Sequence, residues 1–309
     1  MNDLTKFIVR RLLIGVMVVL CVTILIFAIM QAMPGDAIEM VTDVRVSAEK
    51  LTEIKARWGL DKPPVLQYFY WLRNILGGDF GTSITTGQPV SILISERLPY
   101  TLMLTGVALA IEYLLAIPLG LYAAVKKNRL SDKVLTISMI VLWSIPAFWL
   151  GVLFILKFSI DLNMFPISGY SGLLSLVLPA FTLALPQMAQ IFRLTRSEVL
   201  DVMDENYVTT AYAKGISNKK ILLKHVLRNA LIPVTVMFFL SIPWLIGGSV
   251  IVENVFAWPG MGQLLWKGIA KQDFPIVQGI ILVIAILTVV CNIIGDIISG
   301  ILDPRIRLE

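Results

Sequence analysis

Apolar residues in this chain run on for lengths that no half-buried soluble helix requires. Six stretches, Ile8–Met30, Thr101–Val125, Val134–Phe158, Leu173–Phe192, Ile232–Val252 and Ile276–Leu302, are long enough to cross a bilayer. The hydrocarbon core is about 30 Å thick and takes roughly 20 helical residues to cross. The fourth stretch carries Pro179 and Pro186, which a membrane helix tolerates where its neighbours satisfy the freed backbone groups. The first follows Lys6, Arg10 and Arg11. It outruns a secretory apolar core of about 7–15 residues and lacks an A-x-A site, so it is expected to stay as a helix. The pattern predicts an all-α membrane protein with six transmembrane helices.

Between the apolar runs the basic residues fall unevenly. Short loops and helix ends on one side hold Lys6, Arg10 and Arg11, then Lys126, Lys127, Arg129 and Lys133. The same side holds Arg193, Arg196, Lys214, Lys219, Lys220, Lys224 and Arg228, and lastly Arg305 and Arg307. The opposite side has one long segment, Met33–Pro99, in which acidic residues offset the basic ones. Short-loop Lys and Arg set orientation, which predicts a multi-pass protein of the cytoplasmic membrane with both termini cytoplasmic.

Composition agrees: 57% of the 309 residues are hydrophobic and 15% are charged, against about 25% charged in soluble domains. Topology accounts for most of the net charge of +5. No separate basic face interleaved with aromatic residues stands out, so nucleic acid is not expected as a partner. The chain has no G-x-x-x-x-G-K-[ST] phosphate cradle. Its one histidine is His225, and Cys21 and Cys291 lie in separate spans. Zinc sites usually take about four Cys or His ligands, so no metal site is expected from these groups, and no Ser/His/Asp arrangement can be placed.

Three polar residues fall inside the apolar runs. Glu112 lies near the middle of the second, where an acidic side chain is costly and faces the bundle interior. It either lines a pathway or hydrogen-bonds a neighbouring helix or partner subunit, and the sequence leaves both open. Asn292 and Asp296, one turn apart in the last run, suit packing.

The segment "TTAYAKGISNKKILLKHVLRNALIP", Thr209–Pro233, carries Lys214, Lys219, Lys220, Lys224 and Arg228. Each basic residue costs about 2.5–3.5 kcal/mol at the bilayer centre, so the segment is expected outside the hydrocarbon. It reads as two short helices, Glu205–Lys214 and Lys219–Asn229, with Gly215 stopping the first and Ser217 or Asn218 capping the second. Ala211 and Gly215 are expected to form a small, flat surface that another protein could approach closely. The alternative is a solvated hairpin that merely joins two spans.

From about Arg97 to Arg305 the chain resembles the transmembrane subunit of a bacterial ABC importer, in its peptide and nickel group. That family's cytoplasmic loop reads Glu-Ala-Ala, three residues, Gly. Here Thr209 and Thr210 stand in the first two positions, and Ala211 and Gly215 match. The group's own form, T-A-x-A-K-G, is met by Thr210, Ala211, Ala213, Lys214 and Gly215. Further similar stretches are Trp58–Ser83, Pro89–Leu102, Ser144–Leu156, "VIVENVFAWPGMGQLL" (Val250–Leu265) and "LDPRIR" (Leu302–Arg307).

The resemblance implies a type I ABC importer transmembrane domain, of the "B" type, with an extracytoplasmic region after helix 1. It divides the chain into 1–96 and 97–309, with a cytoplasmic coupling loop at about 198–231. Implied partners are a second homologous permease, two ABC ATPases, an extracytoplasmic binding protein and membrane lipid. No cofactor is expected on this chain and no catalysis, since ATP and Mg belong to the ATPases. The implied cargo is di- or oligopeptides, the alternatives being nickel, glutathione or a metal chelate. The rival class is an ion-coupled secondary transporter that uses Glu112 and needs no ATPase.

Overall fold

The computed structural model describes residues 3–32 and 62–302. The stretch 33–61 and the "LDPRIR" ending beyond Leu302 lie outside the described residues, as do Arg305 and Arg307. Five long helices carry the fold: α1 (Asp3–Ala32), α3 (Val90–Val125), α6 (Leu174–Met203), α9 (Leu227–Val255) and α11 (Phe274–Leu302). At 1.5 Å per residue, helices of this size reach about 45 Å, enough to cross the bilayer and emerge on both sides. Shorter helices fill in the rest: α2 (Pro64–Leu76), α4 (Leu130–Ser144), α5 (Ala147–Phe154), α7 (Asn206–Ala213), α8 (Asn218–Ile221) and α10 (Met261–Ala270).

The core lies where α3, α6 and α9 meet. Leu104, Ala108 and Ala116 of α3 are buried against Leu183, Ala184 and Phe192 of α6 and against Val234, Leu245 and Val252 of α9. In lipid there is no hydrophobic force between helices, so close packing of small residues does the work. Gly120 shows it: a Cβ there would stand 2.9 Å from the Phe192 carbonyl oxygen and 2.9 Å from Thr195 Cβ. Leu13, Met17, Leu114 and Ile137 point outward and exposed, as side chains meeting acyl chains do.

Helix α1 sits at the edge, on α11. Gly300 faces Phe7, Arg11 pairs with Asp296 at 3.1 Å, and Gly15 faces Val289 and Ile293. The pairing is antiparallel, so both described ends lie on one side of the bundle. Asp296 therefore has the packing role its position suggests. At the other end of α1, Thr23 Oγ1 lies 2.9 Å from Tyr68 OH on α2, and Phe27 packs with Tyr68 and Trp71.

Three features differ from the sequence expectation. The third run is not one straight span: α4 and α5 meet at a bend of 101°. Proline disfavours helical backbone in the residue before it, and Ile145, preceding Pro146, is extended at φ −84°, ψ 123°. After α5 the chain continues as a π-helical turn, Ile155–Asp161. The second run begins at Val90 rather than Thr101, so the division at 96/97 falls inside α3. Finally, the basic segment is not two free short helices. Only α7 stands apart; α8 passes through a π-helical turn, Leu222–Val226, straight into α9.

Candidate functional site: a helical loop, a buried clasp and a groove

Helix α7 is tied down at its end by backbone geometry. Lys214 closes it and Gly215 follows at φ +74°, a left-handed conformation that glycine adopts without a Cβ penalty. The Ile216 N–H donates to the Ala211 carbonyl at 3.3 Å and the Gly215 N–H to that of Tyr212 at 2.9 Å. These are the two bonds of a Schellman motif, which satisfies carbonyls left over at a helix end. Ile216 packs back on the cluster that holds Ala211, the apolar contact such a motif favours.

That packing corrects one expectation. Ala211 is only 7% exposed and belongs with Val208, Val199, Ile221, Val226, Ala230 and Ala124 to a cluster inside the chain. It anchors α7 rather than presenting a surface with Gly215. The exposed edge consists of Thr210, Ala213, Lys214 and Gly215, with Tyr207 and Tyr212 beside them. Around Gly215 a Cβ would meet nothing within 4 Å. Asn229 Nδ2 donates to Tyr207 OH at 2.8 Å and to the His225 carbonyl at 2.9 Å, stitching α7 to the foot of α9.

A charged pair braces the same end of the bundle. Arg196 Nε and Nη2 donate to the two carboxylate oxygens of Asp132 at 2.7 and 2.8 Å. The Asn128 N–H adds a third bond at 2.9 Å, from a residue at φ +65° in the turn between α3 and α4. A guanidinium and a carboxylate match as two parallel bonds, so the pair fixes α4 against α6 in angle as well as distance.

The far end carries a clasp. Glu253, near the end of α9, is fully buried. Its Oε1 accepts from Thr101 Oγ1 of α3 at 2.7 Å, and its Oε2 accepts from the N–H groups of Gly262 and Gln263 at 2.6 and 3.1 Å. Those N–H groups open α10, where four backbone donors lack partners and a negative charge is favoured. Gly260 and Gly262 leave room for this: a Cβ on either would strike the Glu253 carboxylate, and one on Gly262 also the backbone of Val250. Thr101 Oγ1 in turn accepts from the Met261 N–H at 2.8 Å, and Trp258 Nε1 donates to the Tyr100 carbonyl at 3.0 Å.

A second acid works alongside. Asp273 Oδ2, buried before α11, accepts from Ser83 Oγ at 2.6 Å, the Thr85 N–H at 2.9 Å and Thr85 Oγ1 at 2.8 Å. The turn that holds Ser83 and Thr85 is thereby fastened to the α10–α11 corner. Neither acid was singled out in the sequence. Glu253 lies one position past Val252, where the fifth apolar run stops, inside the stretch "VIVENVFAWPGMGQLL". An Asp directly before an apolar run, as at Asp273, is an ordinary helix-start signal that does not reveal a bond to a loop so far away.

Glu112 lies apart from both ends. It is 1% exposed in the middle of α3, and its Oε2 has no hydrogen-bond partner among the described residues. Its neighbour Tyr113 reaches α9, with its hydroxyl 3.1 Å from Ser241 Oγ. An open groove of about 710 Å³ runs between α6, α9 and α11, lined by Gln190, Arg193, Pro233, Met237 and Ser299 among others.

A core of three tightly packed helices thus has a braced helical loop at one end and a clasped loop at the other. Residues 116–308 match the Binding-protein-dependent transport system inner membrane component, and residues 4–105 match the N-terminal region of such membrane components. The chain belongs to this family. It is similar to the oligopeptide transport system permease protein AppB of Bacillus subtilis, at 40% identity over 98% of this chain and 100% of that one. It is also similar to the glutathione transport system permease protein GsiC of Salmonella typhi, at 35% identity over 98% of this chain and 99% of the relative. Among solved structures, an inward-facing form of the MetNI methionine ABC transporter matches 68% of this chain and 96% of its own, with a TM-score of 0.58 at 19% identity. That likeness shows the fold alone. The inner membrane component described here is an ABC importer permease, all-α, with five helices long and apolar enough to cross the membrane and, in α4 and α5, an apolar helix pair bent by 101°.

Proposed function

We propose that this chain forms half of the path of an ATP-driven importer for di- or oligopeptides, alongside a second homologous permease. One of two ATPases docks on the exposed edge of α7, the other on the second permease, and an extracytoplasmic binding protein delivers cargo at the clasped end. The names of AppB and GsiC support the cargo: one is an oligopeptide permease, the other a permease for glutathione, itself a small peptide. The observation that carries the coupling role is α7. It is anchored internally through Val208 and Ala211, locked by a Schellman motif, and still exposes Thr210, Ala213, Lys214 and Gly215. A helix so held passes a push on its outer edge to α6 and α9 rather than bending.

Orientation in this proposal follows the charges. Lys126, Lys127, Lys214, Lys219 and Lys220 fall at the α7 end, which is also the end of both described termini, and the cytoplasmic side is the one that short basic loops occupy. The chain binds no nucleotide and performs no catalysis; ATP and Mg stay with the ATPases. The test is uptake of labelled tri-alanine into proteoliposomes that hold the full complex with its binding protein. Uptake that requires ATP inside and persists when ion gradients are collapsed is expected. Uptake that follows a proton gradient and ignores ATP overturns the proposal.

A further inference from the structure

We infer that Arg193, with Gln190, receives the terminal carboxylate of a peptide as it leaves through the groove between α6, α9 and α11, an inference that rests on the peptide reading above. The two residues stand at i and i+3 on α6, so they share a face, and both line the groove. Facing them are apolar side chains of α9, Ile232, Val236 and Met237. A cleft of roughly 300–1,000 Å³ with mostly apolar walls and a few placed polar groups is the usual form of a small-ligand site, and this one measures about 710 Å³.

Arg193 differs from its neighbour Arg196. Arg196 is spent on Asp132 in a two-bond pair. Arg193 has no acidic partner among the described residues; its guanidinium lies over the Trp143 ring, 4.8 Å from the centroid. Stacking on an aromatic face holds a guanidinium in place while leaving its edge donors open. Arg193 lines the groove while its guanidinium rests on Trp143 of α4; such an unpaired planar cation complements a carboxylate, which an unmodified peptide carries at its C-terminus. The apolar wall sets no demand on side-chain identity, which suits cargo of varied sequence. Gln190 adds a neutral donor for the same carboxylate or the adjacent amide.

The experiment uses the full complex in proteoliposomes with the binding protein outside and ATP inside. Tri-alanine and tri-alanine amide are placed in turn inside the vesicles, where they reach the groove without the binding protein, and inhibition of labelled tri-alanine uptake is read. The free acid is expected to inhibit about tenfold more strongly than the amide, the factor one modest charge-assisted bond supplies. Arg193→Gln is expected to bring that ratio to near one and Arg193→Lys to lower it, since Lys lacks the fork and the stack. Each ratio is read within one preparation, so yield cancels, and either variant suffices.

An unchanged ratio in the variants, or a ratio of one in the unsubstituted complex, overturns the inference while peptide uptake itself stands. If phosphatidylglycerol is required for uptake by the unsubstituted complex but not by Arg193→Gln, a lipid headgroup holds Arg193 and the inference also falls. Absence of ATP-driven peptide uptake removes the peptide reading and this inference together.

Discussion

Thr101 and Glu253 stand 152 positions apart, yet Thr101 Oγ1 donates a 2.7 Å bond to a carboxylate that also caps α10. One acid thus joins the N-terminal third of α3, the end of α9 and the first turn of α10. Glu253→Leu would leave the Thr101 hydroxyl and the N–H groups of Gly262 and Gln263 without acceptors. Each buried orphan costs about 1–3 kcal/mol, so a loss of about 3 kcal/mol or more is expected. Glu253→Gln keeps one acceptor oxygen and should lose less. Unfolding of the detergent-solubilised chain, followed by tryptophan fluorescence, ranks the two. Equal midpoints for Leu and the unsubstituted chain would show that the clasp carries no stability.

The Asp132–Arg196 pair makes a different claim. Asp132 is 3% exposed, but the Arg196 side chain keeps 26% exposure, so removing Asp132 strands a partly solvated guanidinium and costs less than the about 3–5 kcal/mol of a fully buried pair. Asp132→Ala is therefore expected to destabilise by about 1–3 kcal/mol, the cost of lost charge-assisted bonds. Adding Arg196→Ala should restore part of the loss, because the stranded guanidinium is then gone. Additive losses in the double-mutant cycle would mean that the pair is not coupled.

These anchors mark what a single sequence displays and what it hides. Length and continuity of apolar runs reveal spans, because the bilayer sets a minimum length, and each of the five long helices overlaps a run read from that pattern. Pro146 stands in the third run, but the bend at Ile145–Pro146 is not legible there, since whether a proline is absorbed or bends the chain depends on which neighbours satisfy the freed backbone groups. Thr101, Glu253 and Asp273 could not be read as a clasp, because bonds spanning 152 and 190 positions leave no local period. In the α7 loop, spacing correctly marked Gly215 as a helix stop. It did not tell which face Ala211 takes, which depends on Ile221, Val226 and Ala230 lying beneath it.

Burial divides the α7 loop into two kinds of position. Ala211→Trp puts an indole into a cluster already closed by Val208 and Ile221, and overpacking costs about 1–3 kcal/mol or more. It should lower folded yield before any partner is added. Ala213→Trp and Gly215→Trp fall on the exposed edge. Both are expected to leave the chain in the membrane, Gly215→Trp with some strain from its positive φ, and to weaken copurification of the ATPases at least severalfold. ATPase recovery equal to that of the unsubstituted complex in both would refute docking on this edge.

Orientation is testable with single cysteines in a chain lacking Cys21 and Cys291. Gln88 and Ser217 are both exposed, at opposite ends of the bundle. Ser83 is unsuitable, being 2% exposed beneath its bond to Asp273. An impermeant thiol reagent added outside intact cells is expected to label position 88 and to spare position 217 until the membrane is opened. Labelling in the reverse order would invert the orientation drawn from Lys126, Lys127 and Lys214.

Glu112 separates the two transport classes most directly. It is buried in the middle of α3 with Oε2 unpartnered among the described residues, so the fold does not depend on a bond to that oxygen. Glu112→Gln preserves shape and most bonding capacity while removing the exchangeable acidic proton. Hydrogen bonds within membrane bundles average only about 0.6 kcal/mol in double-mutant cycles, so the exchange should be tolerated structurally. An ATP-driven permease takes its energy from nucleotide-driven closure of its ATPases, passed on through α7 in the proposal above, and uptake by Glu112→Gln with ATP present and the proton gradient collapsed should stay within about threefold of the unsubstituted complex, the effect of one such bond. A proton-coupled carrier requires an acidic group inside the bundle to gain and lose its proton, and there the Gln variant abolishes transport. Loss of uptake in Glu112→Gln, together with a response to the proton gradient in the unsubstituted complex, would move the driving force from α7 to the centre of α3.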